Sequence, residues 1–456
     1  MRSKRSPSQT LKALLICFLS VLSLFLGFFT NCWRVADQQW FDNHQRDMES
    51  FIVGRMVKSR QDGIFSSGGL TGFGSLEATQ VNYFDDPCSN QYLAYTNGLP
   101  FGTYTTYNSQ IGGQGMFFGI LDKFTTCSPH EKLRLFHALT SLFSAVALTA
   151  IIFWFYLEFG LTVALLVLVS AVFSQWLVVF GRNLWWSMWA FYLPVAVIMH
   201  YLRFKRELMN VKPFAFGAIV FITIFIKCLF TGYEYITTTL VMMVVPLVYY
   251  GILKGWNFRK LLAGLFTAAS SSCLAILLTF LILCFQVASV QGSFRDGVNH
   301  IVYVFAKRTH ANPQDFPSIY ASSLKSSTTR VVARYLWGTF FDANNYLSCS
   351  NQFVSAYLLK IRYLYLILLF MTMSGMLYFL SNRCVAEEEK QKRVALIFAT
   401  WFSILAPLSW FIIFKSHSYL HVHMNFIVWQ MPFVFFGFAV CGLVVKSLLP
   451  ARQTSI

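Results

Sequence analysis

Residues 11–31 read LKALLICFLSVLSLFLGFFTN. Apart from Lys12 this run is uncharged, and it supplies the roughly 20 apolar residues that a helix needs to cross a hydrocarbon core of about 30 Å. It exceeds the apolar region of a signal peptide, usually about 7–15 residues, and Phe28, Phe29 and Asn31 do not form a small-residue cleavage site. The stretch therefore reads as an uncleaved anchor. Working outward, nine further apolar runs follow, near 135–156, 161–180, 185–202, 214–231, 236–253, 261–286, 361–380, 394–414 and 424–445. The expected fold is an all-α polytopic membrane protein with about ten transmembrane helices.

Composition supports this reading. Of 456 residues, 56% are hydrophobic and 12% charged, too little polar surface for an ordinary soluble enzyme of this length. The 48 Phe, 21 Tyr and 12 Trp exclude a disordered chain. A formal charge of +17 would suggest nucleic acid in a soluble domain, but in a membrane protein basic residues gather in cytoplasmic connections, so no nucleic-acid partner is expected. With the N-terminus inside, seventeen Lys and Arg of the short segments fall on the cytoplasmic side, among them Arg2, Lys4, Arg5, Arg203, Arg206, Lys212, Lys254, Arg259, Arg383, Lys446 and Arg452. Only Arg182, Lys227 and Lys415 fall on the other. Both termini are expected in the cytoplasm.

The chain then divides into a cytoplasmic N-terminus with the first span (1–31), a first extracytoplasmic loop carrying a surface helix (32–134), spans two to seven (135–286), a second extracytoplasmic loop (287–360), and the last three spans with the cytoplasmic C-terminus (361–456). Turn-rich stretches such as Ser66-Ser67-Gly68-Gly69 and Gly112-Gly113-Gln114-Gly115 keep the loops out of lipid. Cys32, Cys88, Cys127 and Cys349 fall on the outer side, where Cys88 with Cys127 is the most economical disulfide and free thiols are the alternative. The other six Cys read as packing residues of the spans. No Asn-x-Ser/Thr sequon occurs, which favours a bacterial inner membrane.

Unusual polar residues gather on the outer face. In Phe41-Asp42-Asn43-His44-Gln45-Arg46-Asp47-Met48-Glu49-Ser50-Phe51, near-helical apolar spacing predicts a helix on the membrane surface with Asp42 or Asp47 in its first turn. Carboxylates at an apolar boundary suit a general base, and they equally suit the positive end of a helix dipole. Arg182, in Gly181-Arg182-Asn183, is a bidentate phosphate contact or a snorkelling anchor. Glu234, in a tight turn after Lys227, either pairs with that lysine or lines a site. Lys415, His417, His421 and His423 crowd one outer edge; contact with an anionic ligand or leaving group is the preferred reading. His417 and His421 also stand at i, i+4, but no acidic residue within that stretch completes a metal set. The second loop adds a basic excess that includes Lys307, Arg308 and His310. Neither GxxxxGK[ST] nor a Rossmann fingerprint, HExxH or GxSxG is present, so no nucleotide or other cofactor is expected.

This layout resembles the GT-C superfamily of integral-membrane glycosyltransferases. Asp47-Met48-Glu49-Ser50-Phe51-Ile52-Val53-Gly54-Arg55-Met56, followed by Asp62-Gly63, is similar to the acidic first-loop segment of bacterial aminoarabinose and protein mannosyl transferases of that class. The resemblance implies a polyprenyl-phosphate sugar donor, a glycan, lipid or protein acceptor, a catalytic carboxylate in the first loop (Asp47 or Asp42, with Glu49 beside it), and phosphate contacts from Arg182, Lys415 and His417. Where the family commonly places its acidic pair side by side, Met48 here separates Asp47 from Glu49. Competing readings are a flippase or transporter of a lipid-linked sugar, an O-antigen ligase or polymerase, and a non-catalytic membrane protein. The glycosyltransferase reading requires these acids, cations and imidazoles to converge in one cavity that opens away from the cytosol.

Overall fold

Ser128-Pro129-His130-Glu131 shows how a long helix begins in this chain. The Ser128 hydroxyl accepts from the Glu131 amide, the Glu131 carboxylate accepts from the Ser128 amide at 2.9 Å, and Pro129 occupies a position whose N–H would have no partner. The helix runs to Phe159, where Gly160 takes up a left-handed conformation (φ 95°) and ends it. A computed structural model describes residues 7–76, 86–205, 213–347, 350–383 and 386–449. Arg2, Lys4, Arg5, Arg206, Lys212, Arg452, Cys349 and Cys384 lie outside the described residues.

In chain order, α1 (Pro7–Thr30) leads into a folded loop of α2 (Gln38–Asn43), α3 (Arg46–Asp62), β1 (Gly72–Ser75), α4 (Pro87–Asn97), β2 (Thr103–Thr106) and α5 (Gly113–Phe124). Helices α6 (Pro129–Phe159), α7 (Leu161–Val172), α8 (Gln175–Gly181), α9 (Trp189–Lys205), α10 (Pro213–Thr231), α11 (Ile236–Leu253) and α12 (Phe258–Gln291) follow. A second loop holds α13 (Phe294–Arg308), α14 (Ala321–Lys325), α15 (Thr328–Leu336) and the strands β3 (Thr339–Asp342) and β4 (Lys360–Arg362). The chain ends with α16 (Tyr363–Ser381), α17 (Glu387–Ser403), α18 (Leu405–Ile413), α19 (Lys415–Leu420), α20 (Val422–Asn425) and α21 (Phe433–Leu448). Each strand pair, β1 with β2 and β3 with β4, is an antiparallel two-stranded sheet.

Among the described residues, seven helices are long and apolar enough to cross a membrane, or up to nine if each of two bent pairs is one span. Nine of the ten expected spans correspond to these helices and bent pairs. The stretch 161–180 bends by 67° between α7 and α8, because Ser174 leaves the helix and caps the next one at the Leu177 amide. The stretch 424–445 is the other bent pair, turning by 41° before α21. The fourth expected span, 185–202, becomes α9, with 17 described residues and Pro194 inside. Glu387-Glu388-Glu389-Lys390 forms the first turn of α17, where the carboxylates face the positive helix end and pair with Lys390, Lys392 and Arg393.

Both long loops fold at one end of the bundle, called the loop end below. Helix α12, about 51 Å long at 1.5 Å per residue, reaches past the apolar region, and Gln286 near its end donates to the carbonyls of Gly68 (2.8 Å) and Ile111 (3.1 Å) of the first loop. Asn345 of the second loop donates to the Val35 carbonyl at 2.7 Å. The two loops are one folded layer.

Helix α3 is the axis of that layer. It packs inside the layer, with Glu49, Ser50, Ile52, Val53, Gly54, Arg55, Met56 and Val57 all buried on it. Gly54 permits the packing: a Cβ there would sit 2.4 Å from the Gly72 carbonyl oxygen and 2.8 Å from Gln91 Oε1. Arg55, with no exposed surface, donates to the carbonyls of Gly63, Ile64 and Ser66 and to the Ser59 hydroxyl, so its charge is satisfied by the turn it organises. Asp122 of α5 accepts from Arg60 and Tyr95 and pairs with Lys132, tying α3, α4, α5 and α6 together. Cys88 and Cys127 are both free, against the expected pairing; Cys228, Cys284 and Cys441 are buried packing residues.

Candidate functional site

Asp47 and Glu49 both stand in the first turn of α3, two residues apart. At 3.6 residues per turn, that spacing places them about 200° apart around the helix. The two carboxylates therefore meet different surroundings.

Glu49 faces inward. One of its oxygens lies 3.0 Å from His137 Nε2 of α6 and accepts from the Tyr92 hydroxyl at 2.9 Å; the other accepts from the Leu184 amide at 3.0 Å. Burial pushes the Glu49 carboxyl up, but the charge and hydrogen bond of His137, the Leu184 amide and the Tyr92 hydroxyl outweigh it and hold the group down at about 2. It is an anchor ionised at neutral pH. Beside it, Asn183 accepts from the Trp185 and Trp186 amides and donates to the carbonyls of His44 and Gln45, fixing the turn after α8 against the start of α3. Arg182 pairs with Asp42 at 3.0 Å and stacks 4.1 Å from the Phe41 ring. Asp42 and Arg182 neutralise one another at the rim of a cavity of about 170 Å³, into which Glu49, His137, His44 and Arg46 also face.

Asp47 faces the other way. It is exposed and has no ion-pair partner among the described residues. One turn on, Phe51 packs against Phe73, Tyr107 and Trp185, with ring centroids 4.0, 4.9 and 5.4 Å away. The Tyr107 hydroxyl accepts from Arg308 at 3.4 Å, and Arg308 binds Glu234 at 2.5 Å. The second Glu234 oxygen lies 3.4 Å from His417 Nε2, the His417 and His421 rings are 4.6 Å apart, and His421 and His423 are 5.8 Å apart. His423 is within electrostatic reach of Asp47 and of His44, which closes the circuit back to the first loop. Burial, reinforced by Arg308, drives the His417 imidazole well below its ordinary range; burial also takes His421 down to about 4 against the opposing charge of Glu234. Both rings are neutral bases packed beside a guanidinium.

The expected residues are assembled into two clusters, so the convergence in one cavity expected of the acids, cations and imidazoles is not met; His423, within electrostatic reach of Asp47 and of His44, links the two. None of Glu234, Lys415, His417, His421 or His423 lines the cavity beside Glu49. Lys415 is buried and donates to the Leu324 carbonyl at 2.9 Å, capping α14 and not facing the histidines' shared space. Lys227 does not pair with the Glu234 carboxylate; its amine donates to the backbone carbonyls of Gly232 and Glu234 and holds the turn. Among the described residues, no group of three His, Cys, Asp or Glu is arranged to hold a metal ion. Sequence reading missed Tyr92, Tyr107 and His137, and it took Arg308 only as part of a general basic excess. A histidine two turns into an apolar helix was the available signal for His137. No known protein family, curated protein or solved structure matches the chain.

Proposed function

We propose that this protein is an inverting glycosyltransferase of the bacterial inner membrane. In this reading it takes a sugar from a polyprenyl-phosphate donor and places it on a glycan, lipid or protein acceptor at the loop end, which faces away from the cytosol. The observation that carries the reading is the state of Asp42, Asp47 and Glu49. Asp42 is held by Arg182 and Glu49 by His137, while Asp47 is exposed, has no ion-pair partner among the described residues and lies within electrostatic reach of His423, whose ring neighbours that of His421.

The chemistry follows from that arrangement. Asp47 takes the proton of the acceptor hydroxyl as its oxygen bonds to the anomeric carbon on the face opposite the phosphate. The bond from that carbon to the phosphate oxygen breaks, and its electron pair stays on the departing polyprenyl phosphate. Arg308, pre-aimed by Glu234 and Tyr107, meets the growing charge without reorganising. The neutral imidazoles of His417 and His421 gain affinity for a proton as that charge arrives. An apolar groove of about 1590 Å³ along α6, α9 and α10 runs from Phe117, Trp189 and Phe230 at the loop end to His200 and Phe204 at the other, and suits a prenyl chain.

The same groove favours a second reading, movement of an intact lipid-linked sugar across the bilayer. One assay separates them. Purified protein given a radiolabelled polyprenyl-phosphate sugar releases polyprenyl phosphate and labels an acceptor if it is a transferase, and Asp47→Asn is inactive but folded. Label that crosses a liposome with the sugar–phosphate bond intact supports the translocator instead.

A further inference from the structure

The cavity beside Glu49 is left without a task by this chemistry, and its wall has an uncommon makeup. His44 is only 7% exposed, yet its Nε2 has no hydrogen-bond partner among the described residues. A buried imidazole nitrogen left unpaired costs free energy that a ligand's hydroxyl would recover. Around it the charges are balanced. Arg182 is matched by Asp42 and Glu49 by His137, which leaves Arg46 at the rim, 4.8 Å from the Tyr92 ring. Burial, helped by the nearby His423, holds the His44 imidazole down at about 3, so it adds no positive charge.

A phosphate dianion fits such a wall poorly, because it would face two carboxylates with one uncommitted cation. A polyhydroxylated ring fits well. The wall offers donors (Arg46, Arg182), an acceptor carboxylate (Asp42), an imidazole nitrogen able to serve as either, and the aromatic side chains of Phe41 and Tyr92 for the apolar face of a sugar. The space, about 170 Å³, accommodates one pyranose and no more. We infer that this cavity is a glycosyl-binding subsite that holds the acceptor's terminal sugar residue, with His44 and Arg46 as its specificity contacts. The assignment to the acceptor rests on the transferase reading: Arg46 adjoins Asp47 in the chain, and the leaving phosphate is placed at Arg308 on the far face of α3.

The test is a binding measurement and needs no turnover. Saturation-transfer NMR on the full-length protein in nanodiscs is run with a panel of methyl glycosides of hexoses, N-acetylhexosamines and uronates, with inorganic phosphate as competitor. At least one glycoside is expected to bind saturably, about tenfold or more weakly in Arg46→Ala and in His44→Leu, as for loss of a hydrogen bond to a charged or buried partner. Phosphate is expected not to displace it. Binding is read without turnover, so a failed transferase reading and a failed subsite give different results. Arg46 is exposed, so its removal informs even if His44→Leu does not fold. The inference is overturned if no glycoside binds, if phosphate displaces the bound sugar, or if Arg46→Ala binds as tightly as the wild type.

Discussion

Two faces of one helix turn carry two carboxylates with opposite fates. On the Glu49 side both carboxylate oxygens are engaged by partners from other parts of the chain, which hold the acid in its charged form. On the Asp47 side the acid is exposed, without an ion-pair partner among the described residues and within electrostatic reach of His423. The first arrangement joins α3 to α4, α6 and the turn after α8, and so contributes to the fold. The second leaves a base with nothing to do until a substrate arrives. An acidic pair split by one residue is thus not a loosened form of an adjacent pair; the extra residue sends one member into the core.

The largest effects should separate the two faces. Glu49→Gln removes the charge facing His137 and leaves one acceptor oxygen for three partners, so a loss of about 3–5 kcal/mol is expected, read as a collapse of the folded fraction in size-exclusion or thermal unfolding. Asp47→Asn should leave unfolding within about 0.5 kcal/mol of wild type, as for an exposed residue, while transfer falls by about 10²–10⁴-fold. If Asp47→Asn unfolds the protein, or Glu49→Gln leaves it intact and inactive, the roles are reversed.

Arg308→Lys should retain charge beside Glu234 but lose the planar fork that also meets Tyr107, lowering turnover by about 10²-fold or more with a smaller change in donor KM. An unchanged turnover would remove Arg308 from the leaving-group side. Acid sensitivity gives a finer distinction. The Glu49 carboxyl is lower in the folded state than in the unfolded chain, so its stabilisation is complete above about pH 4.5 and fades as pH falls toward about 2. His421 is depressed from about 6.5 to about 4, so the unfolded chain binds its proton first and stability is lost as pH falls through that interval. Chemical denaturation as a function of pH should show both windows, and His421→Asn should shrink the upper one, leaving the part that the depressed His44 and His417 contribute over the same range.

Much of the bundle was legible because hydropathy sums over about 20 residues, which makes a long apolar run hard to misplace. The bend between α7 and α8 was not. The run 161–180 carries no charge to mark it, and the turn at Ser174 is held in part by Gln175 and Trp176 donating to the Thr339 carbonyl, more than 160 positions away. The residues of the site were legible one at a time, as acids, cations and imidazoles expected on one face. Their partners were not, since Asp42 meets Arg182 from 140 residues away, Glu49 meets His137 from 88, and Glu234 meets Arg308 from 74. Periodicity reports which side of a helix a residue occupies, but the neighbour across the gap is set by how distant segments pack.

The most direct test is single-turnover release of polyprenyl phosphate from a labelled polyprenyl-phosphate sugar by wild-type protein and by Asp47→Asn, both first shown to unfold at the same temperature. The account predicts rapid release with the sugar moved to acceptor in the wild type and a rate at least about 10²-fold lower in the variant. Equal rates in the two proteins, or no bond cleavage by the wild type, would contradict it.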